Sequence, residues 1–281
     1  MTRSRLLGRL VLDPVRLAQD LARTDRFRYS DAYSEFTCGS WKGSYLCNGT
    51  GDLYDTTITE YEGPYQLTDH GQQLPYLMEL INGHFRTETM RFARLGRITP
   101  GSVMVPHRDY LELKEELVRI HVPLHTSDSC FNSEDETVYH MRQGEVWFID
   151  ASRVHSAVSF FTEDRTHLIL DFASETVEET LRFDPDPATE YQRFGTSVVQ
   201  RQPLTDEQRN AILGLSAILG PHNYRDVLGL IIKQYFVSNI AISEVYEFAC
   251  QIARDADRHD VLERLDWLSK HVLVDRAKLS A

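Results

Sequence analysis

EVWFIDASRVHSAVSFFTEDRTHLILDF, residues 145–172, is the stretch on which the fold turns. It breaks into three runs, EVWFI, HSAVSF and RTHLILDF, each rich in large apolar or β-branched residues and bounded by polar ones. Short runs punctuated in this way are the pattern of antiparallel strands. HSAVSF and RTHLILDF are expected to pair as a hairpin through Phe161–Asp164. Working outward, the same pattern recurs upstream in FARLGRI (92–98), SVMV (102–105), VRIHVPL (118–124) and TVYHM (137–141). Seven strands at this spacing predict a β-sandwich or jelly-roll barrel. Gly144-Glu145 reads as a turn, and the polar SDSCFNSEDE (127–136) as a connecting loop.

The flanks read differently. Leu10–Leu12 is a short strand-like piece, and a helix is expected after Asp13-Pro14, since proline is tolerated at the first helical position. Leu77, Leu80, Ile81 and Phe85 fall at helical spacing after Pro75 and predict a second helix able to cover a sheet face. Residues 183–203 carry three prolines and little periodicity, so 184–204 is expected to be a connector. Beyond it Thr205–Gln208 has the form of a capping box, and apolar positions recur at helical spacing from Ile212 to Leu273. The expected organisation is a barrel domain over 1–183, the connector, and a helical domain over 205–281. The helical domain is expected to form a lid edge or a homodimer contact.

Composition narrows the function. The chain of 281 residues and 32.4 kDa, 42% hydrophobic, can bury a sizeable core. A net charge of −12 argues against general nucleic-acid binding, so any anionic ligand must be held by local arginines. No apolar run reaches the length that crosses a bilayer, and the N-terminal residues make too short an apolar stretch for a signal peptide. A cytoplasmic enzyme without a membrane partner is expected. Cys38, Cys47, Cys130 and Cys250 lack Cys-x-x-Cys spacing and are read as reduced thiols.

His107-Arg108-Asp109 sets an imidazole and a carboxylate two positions apart, where a strand projects both from one face. His155, opening a later strand, is the best-placed third ligand. Two histidines and one carboxylate leave open coordination positions, the ligand set of iron(II) oxygenases. Arg165 begins the next strand, and its rigid fork suits the distal carboxylate of 2-oxoglutarate. Arg94, Arg119 and His121 lie on strand-like runs that can face the interior, where a cation is costly unless it meets an anion. Arg94 and Arg119 are divided between substrate contact and structural ion pairing. His140 is divided between contact with the oxoacid and packing, and Trp41 between an aromatic wall for the substrate and the core. His121 and His125 are read as supporting positions, and Trp147 as packing.

These motifs resemble the free L-proline hydroxylases of bacteria, within the aspartyl/asparaginyl β-hydroxylase group. The resemblance rests on PHRDYLEL (106–113), on residues 132–157 with the distal histidine, and on RTHLILDF with its arginine. It extends to SEFTCGSWK (34–42), LPYLMEL (74–80) and NYRDVLGLI (223–231). It implies a double-stranded β-helix core, cupin-like, with a helical C-terminal domain. It also implies iron(II), 2-oxoglutarate and O2 as requirements, ascorbate as a reductant in vitro, and hydroxylation at C3 or C4 of a free cyclic amino acid, proline or pipecolate. By the same resemblance His107, Asp109 and His155 match the metal ligands, Arg165 the oxoglutarate arginine, and Arg94 and Arg119 basic positions of the pocket. Two alternatives stay open: a hydroxylase of aspartyl or asparaginyl side chains in peptides, and a non-catalytic metal-binding barrel of cupin type.

Overall fold

The computed structural model describes residues 3–30, 34–56, 59–109, 117–185 and 197–272. Twelve strands form among them: β1 (Arg5–Arg9), β2 (Thr37–Cys38), β3 (Trp41–Asn48), β4 (Gln66–Leu67), β5 (Met90–Ile98), β6 (Val103–Met104), β7 (Val118–His125), β8 (Cys130–Glu134), β9 (Thr137–Tyr139), β10 (Glu145–Ile149), β11 (His155–Ser159) and β12 (Arg165–Phe172). Seven make a major sheet in the order β1-β10-β7-β12-β5-β3-β4, and five a minor sheet in the order β2-β6-β11-β8-β9. Every pairing between these strands is antiparallel. The two facing sheets are the double-stranded β-helix that the strand pattern and the resemblance imply.

All eight residues of β12 are buried, so alternation there separates two buried environments. Leu168, Leu170 and Phe172 enter an apolar cluster with Ala93 and Leu95 of β5 and Ile120, Val122 and Leu124 of β7. Two helices cover that face, α1 (Pro14–Thr24) and α3 (Pro75–His84), which flank a short α2 (Asp69–Gln72). Helix α1 begins where expected, with the Asp13 side chain accepting from the amides of Val15 and Arg16 and Pro14 following. The alternate residues of β12, Arg165, His167, Ile169 and Asp171, turn to the opposite face, between the sheets. The outer face of the minor sheet, with Cys38, Val103, Val105, Val138 and Val158, packs against helices α5 (Tyr224–Val237), α6 (Ile242–Asp255) and α7 (His259–Val272), preceded by α4 (Asp206–Leu213).

Four expectations change. β11 and β12 do not form a hairpin: β11 lies between β6 and β8, while β12 lies between β5 and β7, so residues 160–164 cross from one sheet to the other. Within 127–136, read as a loop, Cys130–Glu134 is a strand. Two of its polar residues are interior ones with partners: Asn132 accepts from Arg165, and Glu134 from the amides of Arg3 and Ser4. The first strand is Arg5–Arg9 rather than Leu10–Leu12, because its partner β10 begins at Glu145, opposite Arg9. Trp41–Asn48, not read as a strand, pairs with β5 in the major sheet. Part of the expected connector, residues 186–196, and part of PHRDYLEL, residues 110–113, lie outside the described residues.

Candidate metal centre

His107 and His155 are joined by a two-way main-chain bridge, with N–O distances of 3.0 and 2.9 Å, and the amide of Asp109 donates to the carbonyl of Ala151 at 2.8 Å. The backbone thereby brings two strand ends together with three side chains on one spot. Their donor atoms all lie within 4.8 Å of one another. Each imidazole is turned by the main chain: His107 Nδ1 lies 2.7 Å from the carbonyl oxygen of Val105, and His155 Nδ1 3.0 Å from that of Arg153. A carbonyl oxygen only accepts, so both Nδ1 atoms carry the proton and both Nε2 lone pairs face inward, as a metal requires. Asp109 Oδ1 lies 3.2 Å from His107 Nε2, and Oδ2 lies 3.8 Å from His155 Nε2 and against Arg119 Nη1.

The charges suit a cation. Burial pushes the Asp109 carboxyl up, but Arg119 and the two imidazoles outweigh it and hold the group well below the usual carboxylate range. Burial, then the neighbouring His107, brings the His155 imidazole down to about 4. At neutral pH the set therefore presents one carboxylate and an unprotonated His155, a donor set that fits a divalent first-row metal.

The inner face of the major sheet carries an arginine-rich band. Asp171 is fully buried, with Oδ2 accepting from Arg94 Nη1 at 2.8 Å and Oδ1 from Arg119 Nε at 2.7 Å. Arg94 and Arg119, divided above between substrate contact and ion pairing, thus both stand in ion pairs beside the metal set. Arg165, 4% exposed, is different. Its Nη2 donates to Asn132 Oδ1 at 2.6 Å and to His167 Nδ1 at 3.3 Å, its Nε has no hydrogen-bond partner, and no carboxylate among the described residues reaches ion-pairing distance. Burial pushes this guanidinium down to about 10. A buried cation held by neutral groups alone is the counterpart of an anionic ligand.

His121 lies on the same face, with Nδ1 3.4 Å from Nδ1 of His167. Burial, reinforced by surrounding guanidiniums, holds both imidazoles well below the usual range and keeps them neutral. Trp41 is buried against Ile98, Ala157 and Met104. Its indole lies across Gly43 and Gly96, paired residues on adjacent strands, where a Cβ on Gly43 would stand 2.8 Å from the ring. His140 is not brought to this centre. Its Nδ1 meets the carbonyl of Cys130 at 3.2 Å and its ring packs on Phe131, which joins the cluster under the helices. His125 pairs with Glu163 toward solvent.

Three interior residues escaped the sequence reading: Asp171, His167 and Asn132. Two of them carried a signal, since Arg165, His167 and Asp171 share parity along RTHLILDF, and a carboxylate in so apolar a strand calls for a cation inside. Asn132 was hidden by its place in a polar segment.

Comparison with known proteins agrees with this geometry. The aspartyl/asparaginyl β-hydroxylase family profile matches residues 15–175, and the L-proline 3-hydroxylase C-terminal profile matches residues 179–279. An L-proline cis-4-hydroxylase from Rhizobium meliloti (strain 1021) is 34% identical over 97% of this chain and 96% of its own length. Two L-proline cis-3-hydroxylases from Streptomyces sp. are 35% and 34% identical, each over 98% of this chain and 96% of their own length. Among the described residues no helix is long and apolar enough to cross a membrane. Matched by that profile over more than half its length and by these relatives over nearly all of it, the chain belongs to the aspartyl/asparaginyl β-hydroxylase family.

Proposed function

We propose that the protein hydroxylates a ring carbon, C3 or C4, of a free cyclic L-amino acid, L-proline or L-pipecolate, as an iron(II)- and 2-oxoglutarate-dependent dioxygenase. The observation that carries this is the pairing, between the same two sheets, of a His-Asp-His donor set with Arg165, a buried guanidinium that has no carboxylate partner among the described residues. The relatives' names supply the substrate class.

His107, Asp109 and His155 would hold the iron. Bound there with 2-oxoglutarate and O2, it supplies the oxidising power that places one oxygen atom on the substrate carbon and the other in succinate, with release of CO2. The protein's part is binding and orientation. Arg165, fixed by Asn132 and His167, would take the distal carboxylate of 2-oxoglutarate, where a buried charge-assisted pair has most effect. Two guanidiniums and a divalent ion outweigh the carboxylates of Asp109 and Asp171, so the band around Arg94 and Arg119 attracts the carboxylate of a small zwitterion. Trp41, flat across Gly43 and Gly96, would offer an apolar wall to the ring. The carbon attacked is then the one this clamp turns toward the metal.

The test supplies iron(II), ascorbate and 2-oxoglutarate and follows succinate and hydroxylated product with free L-proline, free L-pipecolate, their amides, and N- and C-extended peptides. Turnover of the free acids is expected, with loss of product for the amides and peptides. Equal hydroxylation of the amide or a C-extended peptide would overturn the carboxylate clamp and favour a peptide substrate. Replacing any of His107, Asp109 or His155 by alanine is expected to abolish product, and full activity in any one would remove it from the metal set.

A further inference from the structure

Asp171 is fully buried between Leu170 and Phe172, two of the apolar residues that β12 turns to the helices. It faces Arg119 across the β12–β7 register, its Oδ1 holding Nε of that guanidinium while Oδ2 holds Arg94. Arg119 meanwhile reaches Asp109 Oδ2 with Nη1. A planar guanidinium bound at Nε on one side and Nη1 on the other has both its plane and its reach fixed. The three metal donors are thus aimed in two different ways. The imidazoles are turned by the carbonyls of Val105 and Arg153, whereas the carboxylate is turned by Arg119, and Arg119 by Asp171.

We propose that Asp171 is a positioning residue of the metal centre, which through Arg119 sets the orientation of the Asp109 carboxylate between His107 and His155. This role rests on the reading of those three residues as the metal site. The formal charge of Asp171 matters more than its shape, because two guanidiniums converge on it. An amide of the same size would hold Arg119 less firmly and let Asp109 follow it away from the imidazoles.

The full-length protein, freed of metal, is titrated with Co(II) in the absence of 2-oxoglutarate, and the visible absorption of the bound ion is followed. Asp171→Asn is expected to weaken Co(II) binding by about 10- to 100-fold while the far-UV circular dichroism stays that of the parent. Leu170→Ala, one residue away on the opposite face, is expected to lower the Tm and leave Co(II) affinity unchanged. Should Asp171→Asn fail to fold with two guanidiniums uncompensated, Arg94→Gln is added to remove one of them, and the folded double variant is expected to keep the weakened affinity. Parental Co(II) affinity in a folded Asp171 variant overturns the role, as does an equal loss in Leu170→Ala. His155→Ala separates the two levels of the argument. If it binds Co(II) like the parent, the metal site itself is misassigned; if it loses Co(II) while Asp171→Asn does not, the positioning role alone falls.

Discussion

Arg165 is a cation that the described part of the chain surrounds with neutral partners, Asn132 and His167, in a setting 4% exposed. Its desolvation has no compensating carboxylate among those residues, so it opposes folding and favours ligand binding at once. Arg165→Met should therefore act in opposite directions on the two. The ligand-free variant is expected to melt at a higher temperature than the parent, and its affinity for 2-oxoglutarate should fall by about 2–5 kcal/mol, the usual cost of removing one partner of a buried charge pair. Thermal melts with and without 2-oxoglutarate read both effects; a variant that melts lower while keeping the 2-oxoglutarate shift would assign the anion site to another residue. At this scale the sequence was legible where chemistry is concentrated in unusual spacing. The donor atoms of His107 and Asp109, two apart, and of His155, at a strand start, lie within 4.8 Å of one another, and Arg165 opens the next strand as a buried residue beside Asn132 and His167. Arg94 and Arg119 were recognised as interior, but their shared partner was missed because one aspartate at the end of an apolar strand looks like a strand end. His140 reads as an interior residue next to a strand, yet its ring leaves β9 toward Phe131 and the helical layer.

Strands were located in the sequence more reliably than their partners. β5, β7, β10, β11 and β12 fall where short β-branched runs predict them, because local pattern reports extension. Pairing is a non-local property, and residues 160–164 look alike whether they return along one sheet or cross to the other. β8 was hidden for a different reason: its interior side is polar, so alternation does not announce it. The partners of Glu134 show what that polarity does. Fully buried and opposite His155 in the β11–β8 register, it accepts from the amides of Arg3 at 2.6 Å and Ser4 at 2.8 Å, while Ser4 Oγ accepts from the amide of Asp150. The carboxylate thus ties the start of β1 to the strand beside a metal donor. Glu134→Gln keeps one acceptor and loses the charge, and is expected to cost about 1–3 kcal/mol of stability. Hydrogen exchange should accelerate across residues 3–9 before it does so in β12. Parental exchange at β1 would mean that its pairing with β10 is sufficient to hold it.

Across the whole molecule the two largest apolar clusters lie outside the two sheets rather than between them. One cluster joins the outer face of the major sheet to α1 and α3, and another joins the outer face of the minor sheet to α4 through α7. Between the sheets stand Arg94, Arg119, Arg165, Asp171, His121 and His167, groups that organise ligands but supply little hydrophobic stabilisation. The helical periodicity beyond Thr205 was plain in the sequence, but where those helices attach was not, since amphipathic spacing gives a helix an apolar face without naming what covers it. In the structure that face shares one core with Val103, Val105, Val138, Val154 and Val158 of the minor-sheet region. A chain ending at residue 204 would expose those valines together with Phe131, a contiguous apolar surface of the kind that drives aggregation. The barrel and the helices are therefore expected to unfold together. Denaturant titration of the full-length protein, followed by tryptophan fluorescence and by far-UV circular dichroism, should give coincident single transitions, and the 1–204 truncation should be insoluble or lack cooperative unfolding. Two separated transitions, with a soluble truncation that still binds Co(II), would show instead that the barrel's stability is independent of the helical layer and that the shared cluster is only a docking surface between autonomous units.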